Sequence, residues 1–236
     1  PIPRHCLKDL FWISLVGSTL QYGLTFTGLS MIDASLGGIV GQLEVPFSVL
    51  LAVIFFRERP GLLRIIGMTI SFLGIALIAG RPSLSGHLEG ILLTASGALV
   101  WAVGQIMYKR ISSQIDGLTG IAWIGVIAAP QMLIGSMIFE TGQVDALMNA
   151  SWVGWTSVVY LGLIMTVVGY GIWFTVLARN PVSHIMPVLL VLPVFTVLFS
   201  VLLLGEKPSL EILLGGVTIL AGVSLIVFSK SNTRPT

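Results

Sequence analysis

Charge is what this sequence has least of. Twelve Lys and Arg and ten Asp and Glu make 9% of 236 residues, against roughly a quarter in an ordinary soluble domain. So few charges cannot cover the water-facing surface of a chain this long, and a mean hydropathy of +1.00 says the same. A soluble globular domain is excluded. Cysteine is nearly absent: Cys6 stands alone, which excludes an intrachain disulfide and a zinc cluster built on cysteine. His5, His87 and His184 all lie near the ends of apolar runs, so no metal and no other cofactor is expected. There is no His-Glu-x-x-His, no Gly-x-Ser-x-Gly and no Walker loop, which argues against an enzyme or an ATP-driven pump. The net charge is only +2, and without a basic stripe interleaved with aromatics it predicts no nucleic-acid partner.

What is present is long apolar runs. Leu10–Ile32, Gly117–Phe139 and Ala146–Ala178 carry no charge, and each exceeds the roughly 20 residues that cross a bilayer as helix. The runs are continuous rather than alternating, and backbone groups in lipid must be satisfied within the segment, so helices and not barrel strands are expected. Cutting at Gly, Pro and charge clusters predicts eight spans, near Leu10–Met31, Ser35–Phe56, Leu62–Ala79, Leu88–Tyr108, Leu118–Phe139, Trp152–Ala178, Ser183–Leu204 and Leu210–Ser229. Counting cations in alternate loops puts Arg4, Lys8, Arg57, Arg59, Arg64, Lys109, Arg110, Arg179, Lys230 and Arg234 on one side, against Arg81 and Lys207 on the other. The positive-inside rule then places both termini in the cytoplasm.

The sequence also repeats. Aligning residue n with n+148 without a gap brings Tyr22-Gly23 onto Tyr170-Gly171 and Phe26-Thr27-x-Leu29 onto Phe174-Thr175-x-Leu177. It brings Glu58-Arg59-Pro60-x-Leu62 onto Glu206-Lys207-Pro208-x-Leu210, and Gly67 and Gly74 onto Gly215 and Gly222. Over Ser14–Gly80 there are 19 identities in 67 positions. The second copy, 86–232, holds five spans, and an odd number inverts one copy against the other in the membrane. The first, 1–80, holds three, so by this alignment it corresponds to an incomplete repeat short of two helices.

A five-plus-five inverted repeat of this kind resembles the drug/metabolite transporter superfamily, specifically its EamA-type exporters. The resemblance rests on Arg57-Glu58-Arg59-Pro60 with Gly67 and Gly74, on Gly205-Glu206-Lys207-Pro208 with Gly215 and Gly222, and on Trp101-Ala102-x-Gly104-Gln105-x-x-x-Lys109-Arg110. Thr166-Val167-Val168-Gly169-Tyr170-Gly171-Ile172-Trp173, followed by Pro187 and Pro193, is similar to bacterial amino-acid and metabolite efflux members. It implies an all-α integral membrane protein with eight helices of a ten-helix fold, set in the cell (inner) membrane.

Glu44 is the only acid deep inside a span. A carboxylate at the bilayer centre costs roughly 2.5–3.5 kcal/mol on insertion scales, so it must face protein, water or a cation. Gly37, Gly41, Glu44 and Ser48 share its face, a small-residue stripe that lets a neighbouring helix approach. The functional reading is a proton site or a partner for a substrate's ammonium group; the plainer one is an acid hydrogen-bonded to a neighbouring helix. Trp101, Gln105 and Tyr108 form one helical face. Trp101 and Gln105 are candidates to line a cavity, while Tyr108 suits the interfacial aromatic belt beside Lys109-Arg110. Tyr170 and Trp173 sit among glycines, with Gln21 and Tyr22 at the matching place in the first copy; the tyrosines would meet across a cavity or simply pack at equivalent points. Pro46, Pro130, Pro187 and Pro193 free carbonyls within their helices, a mark of transport pathways, or else are static kinks. Gln42 could reach the same cavity but points about 200° away from Glu44.

Gly67, Gly74, Gly215 and Gly222 read as close packing within a scaffold or a dimer seam, the latter making a second copy a candidate partner. Glu58 and Glu206 read as turn residues that cap or pair with Arg59 and Lys207. The leading function is a secondary transporter that moves amino acids or related small metabolites outward by alternating access, with the bilayer and the metabolite as partners. The competing class is a non-transporting membrane component, or a truncated pseudo-transporter that acts with a partner.

Overall fold

The computed structural model describes residues 4–56, 61–79, 87–111, 114–115, 117–169, 172 and 191–229. Among them no strand occurs, as expected of apolar segments that must satisfy their own amides. Described helix falls in each of the eight expected segments, in part only for the sixth and seventh. Among the described residues five helices are long and apolar enough to cross a membrane: Ala34–Phe55, Leu88–Ile111, Gly117–Phe139, Trp152–Gly169 and Leu210–Phe228. Leu62–Ile78 and Leu192–Leu204 are apolar but shorter. The chain is a multi-pass helical membrane protein.

The first rod runs through α1 (Arg4–Ser14), a π-helical segment (Leu15–Leu20) and α2 (Gln21–Leu29). Glycine fixes how it meets α6 (Leu88–Ile111). A methyl group on Gly104 would lie 2.5 Å from the Cα of Gly17, one on Gly97 would collide with Thr25, and one on Gly28 with Thr94. These contacts run in opposite senses along the two rods, so they lie antiparallel with backbones nearly touching. In lipid, where apolar side chains gain nothing by leaving the solvent, such close approach is what holds helices together.

The second span is broken. Between α3 (Ala34–Gly41) and α4 (Glu44–Phe56) lie Gln42 and Leu43. Pro46 has no N–H to give the Gln42 carbonyl; that carbonyl instead accepts from Val45 at 3.2 Å, and Leu43 donates to Val40 at 3.1 Å. The tightened turn is a proline kink, and it puts Glu44 at the joint.

α5 (Leu62–Ala79) packs along the last helix. Two further elements, the long α7 (Gly117–Phe139) and the short α8 (Gln143–Met148), follow α6 in the chain; then come α9 (Trp152–Val159) with a π-helical continuation (Tyr160–Gly169), α10 (Val191–Leu204) and α11 (Leu210–Phe228). A methyl group on Gly67 would lie 2.5 Å from the Gly222 oxygen, and one on Gly222 the same distance from the Gly67 oxygen. Gly74 and Gly215 repeat the exchange at 3.1 and 3.2 Å. Those four glycines therefore face one another within the chain, and Arg64 Nε closes one end of the seam by donating to Ser229 Oγ at 3.0 Å. On the other flank α7 is pinned to the first rod: Ser14 donates to the Ile124 carbonyl at 3.2 Å, and Gln131 accepts from Thr19 at 2.9 Å and donates to the Phe11 carbonyl at 3.2 Å. Gln131, beside Pro130, is a structural clamp here.

α8 lies between the fifth and sixth expected spans. Gly142 starts it with φ of +81°, and the Asn149 side chain donates back to the Asp145 carbonyl at 2.9 Å. Ser151 then caps α9 by accepting from the Gly154 N–H at 3.2 Å.

Candidate functional site

Where α2, α3–α4, α6 and α10 converge, they leave a cavity of about 430 Å³, within the size range of small-molecule sites. Each helix contributes one face. From α2 come Gln21, Thr25 and Leu29, spaced a turn apart, with Tyr22 beside Gln21; from α3–α4 come Ala34, Gly37, Gly38, Gly41 and Glu44. α6 gives Thr94, Ala98 and Trp101, and α10 gives Thr196. The small residues of α3 make the room: an added methyl on Gly38 would strike the Thr196 Cγ2 at 2.5 Å, whereas one on Gly41 would meet nothing within 4 Å.

The polar groups are unevenly satisfied. Gln21 Nε2 donates to Thr25 Oγ1 at 3.0 Å, and Thr196 Oγ1 donates to the Leu192 carbonyl at 3.0 Å. Gln21 Oε1 and Thr94 Oγ1 are buried with no hydrogen-bond partner among the described residues. Glu44 is the one charged residue in the described lining. Tyr22 stacks on Phe26 with ring centroids 5.4 Å apart.

The residues singled out from sequence divide accordingly. Glu44, Tyr22 and Trp101 line this cavity together. Gln42 is buried beside the kink but lies outside the lining, as its angle from Glu44 requires. Pro193 is fully buried in α10, also outside the lining. Gln105 is exposed and Tyr108 packs in a separate cluster with Cys6, Leu10 and Ile111. The face of α6 that reaches the cavity thus runs from Trp101 toward the helix start, through Ala98 and Thr94; each step of four residues toward Gln105 moves about 6 Å the other way. Tyr170, Trp173 and Pro187 lie outside the described residues, as does Glu58. Thr25, Thr94, Gly38 and Thr196 were not anticipated; the i, i+4, i+7 recurrence of Thr94, Ala98 and Trp101 is the signal that could have found the α6 face.

At one end of this assembly, Glu206 joins distant parts of the chain. Gly205, at φ +68°, turns the chain out of α10, and the Glu206 carboxylate then accepts the Ala34 N–H at 2.7 Å and the Ser35 N–H at 3.0 Å. Asp33, the residue at the N-cap of α3, makes no capping bond with its side chain, so the free amides of that helix are met by a carboxylate about 170 residues away instead. Desolvation pushes the Glu206 carboxyl up, and its hydrogen bonds, led by those from Ser35 and Ala34, outweigh it and leave it below its ordinary value. Turn acid though it is, Glu206 acts across the fold.

Comparison with known proteins adds the following. The model described as "EamA-like transporter family" matches residues 3–80 and 88–228. The "Probable amino-acid metabolite efflux pump" of Escherichia coli strain K12 is 28% identical over 235 residues, covering 96% of this chain and 78% of that protein. Its namesake in Salmonella typhimurium is likewise 28% identical with the same coverage. An uncharacterized transporter of Bacillus subtilis is 31% identical over 224 residues, covering 92% of this chain and 71% of its own length. A solved crystal structure shares the fold with a TM-score of 0.61 at 19% identity, over 92% of this chain and 74% of that one.

Proposed function

The chain belongs to the EamA-like transporter family, and we propose that it is a secondary transporter that exports amino acids or related small metabolites by alternating access. The observation that carries this is the cavity itself: a small-molecule-sized space within a helical membrane protein, lined by one carboxylate, aromatic rings and hydroxyls. The efflux pumps of Escherichia coli and Salmonella typhimurium support the amino-acid class and the outward direction.

On this reading the eight spans cut from the apolar runs lie in the inner membrane, as the family resemblance implies, and the positive-inside count puts both termini in the cytoplasm. Two inverted repeats, 1–80 and 86–232, would rock about the cavity. Support for the inversion comes from the seam of α5 and α11, where Gly67 meets Gly222 and Gly74 meets Gly215. A twofold relation between halves offset by 148 residues requires that reciprocity, since each glycine pair maps onto the other. Glu44 would carry the coupling proton or hold the substrate, with Tyr22 and Trp101 beside it. Tyr170 and Trp173 would complete the pathway from the second repeat, and Gln42, Gln105 and Pro193 would act from its borders.

The test is counterflow of labelled amino acids in proteoliposomes across a range of pH. The protein should accelerate exchange in a pH-dependent way, and Glu44→Gln should abolish that pH dependence while leaving membrane insertion intact. No exchange of any amino acid or close metabolite would overturn the reading; an unchanged pH profile in Glu44→Gln would reduce Glu44 to packing.

A further inference from the structure

α10 walls one side of the cavity through Thr196, and its hold there is slight. Most of its side chains are exposed, and among the described residues it packs on the bundle chiefly along α3. In the middle of that seam Thr196 meets Gly38, where an added methyl would come within 2.5 Å of its Cγ2. One turn nearer the start of α3 stands Ala34, another lining residue, and there the seam ends on a polar tie. The Glu206 carboxylate spans the Ala34 and Ser35 N–H groups with one oxygen on each. Glu206 is carried by α10, since its own N–H donates to the Ser200 carbonyl at 3.2 Å. α3, by contrast, is fixed: Leu36, Ile39 and Val40 are buried in one cluster with Ile91 of α6 and Ile219 of α11. Of the two helices, α10 is the one free to leave.

A second acceptor stands ready for the same amides. Asp33 occupies the N-cap of α3 with an extended backbone, φ −64° and ψ 150°, yet its side chain makes no capping bond. An N-cap aspartate in that conformation ordinarily accepts from the second or third helical N–H, here that of Ser35 or Leu36. Asp33 is exposed, so its carboxylate has room to turn in as Glu206 withdraws. We propose that Glu206 is the latch of a gate on the cavity: its grip on the start of α3 holds α10 closed, and exchange of Glu206 for Asp33 on those amides lets α10 swing away and opens the cavity at that end. The exchange makes the device two-state, because the helix start keeps a carboxylate in either position. This rests on the transporter reading above and supplies alternating access with one of its gates.

Water access to the cavity tests the latch without any substrate. Gly41→Cys puts a thiol in the lining where an added methyl meets nothing within 4 Å, and Cys6→Ser removes the other thiol. The rate at which a charged methanethiosulfonate labels the introduced thiol in detergent then reports how often the cavity opens. Glu206→Gln, which keeps the size but loses the charge and one acceptor oxygen, should speed labelling by about tenfold. Asp33→Ala, which removes the acceptor of the open state, should slow it by about fivefold. A plain structural fastening predicts otherwise, since loosening the start of α3 by either route would speed labelling. A rate unmoved by either variant, a shift of the same sign in both, or no labelling at all would overturn the inference. The two readings also part here. Opposite shifts with no amino-acid counterflow would leave the gate and remove the exporter; counterflow with unmoved labelling would leave the exporter and remove the gate.

Discussion

The Ser71 hydroxyl lies 3.4 Å from the carbonyl oxygen of Ile219, exactly one repeat offset, 148 residues, further along the chain. A twofold axis carries each residue onto its mate, so mates touch only beside the axis. Ser71 and Ile219 stand midway between the Gly67–Gly222 and Gly74–Gly215 contacts, where such an axis would pass. The same hydroxyl also donates to the Gly67 carbonyl at 3.0 Å, which keeps a polar group satisfied inside the seam.

Glycine at the seam should be irreplaceable where the backbones meet. Gly67→Ala would bring a methyl to 2.5 Å from the Gly222 oxygen, and the helices must separate to admit it. The expected loss is about 1–3 kcal/mol, seen as a lower melting temperature in detergent. Gly125→Ala and Gly135→Ala, where an added methyl meets nothing within 4 Å, should be close to neutral. Equal effects at all three positions would mean that the seam is looser than the contacts indicate.

The Glu206 contact should be sensitive to acid. Its folded-state pKa lies below the ordinary 4.5, so its contribution is complete above that value and is lost as pH falls through the folded-state pKa. Glu206→Gln should therefore melt lower than wild type at neutral pH, and the difference should shrink below about pH 4. A difference that stays constant on acidification would show that the charge contributes nothing to the contact with Ala34 and Ser35.

Gly41 offers a way to fill the cavity without disturbing the packing. Its added methyl would meet nothing within 4 Å, and it lines the same space as Glu44. Gly41→Leu should keep the unfolding free energy within about 1 kcal/mol of wild type and sharply reduce counterflow. Gly38→Leu, by contrast, runs into Thr196 and should lower stability as well. Undiminished counterflow by Gly41→Leu would move the pathway elsewhere.

Much of this molecule is written locally. Charge-free runs longer than a bilayer is thick demand helices, because no other backbone arrangement satisfies its amides in lipid. The kink at Gln42 and Leu43 is local too, since Pro46 removes a specific donor. Glu44 could be singled out because an acid in mid-span is costly wherever its helix goes. The role of Glu206 was not legible: capping of α3 joins residues about 170 positions apart, and sequence spacing carries no record of that.

Sequence by itself determined the apolar helices, the break at Pro46, the small-residue faces and the acid in mid-span, since each follows from what a few neighbouring residues can do in lipid. Tertiary structure decided which faces meet. It turned Trp101, Ala98 and Thr94 toward Glu44 and left Gln105 outside, and it set Gly67 against Gly222. Helical periodicity tells which residues share a face; only the crossing of whole helices, fixed by how closely their backbones can approach, tells what that face will see.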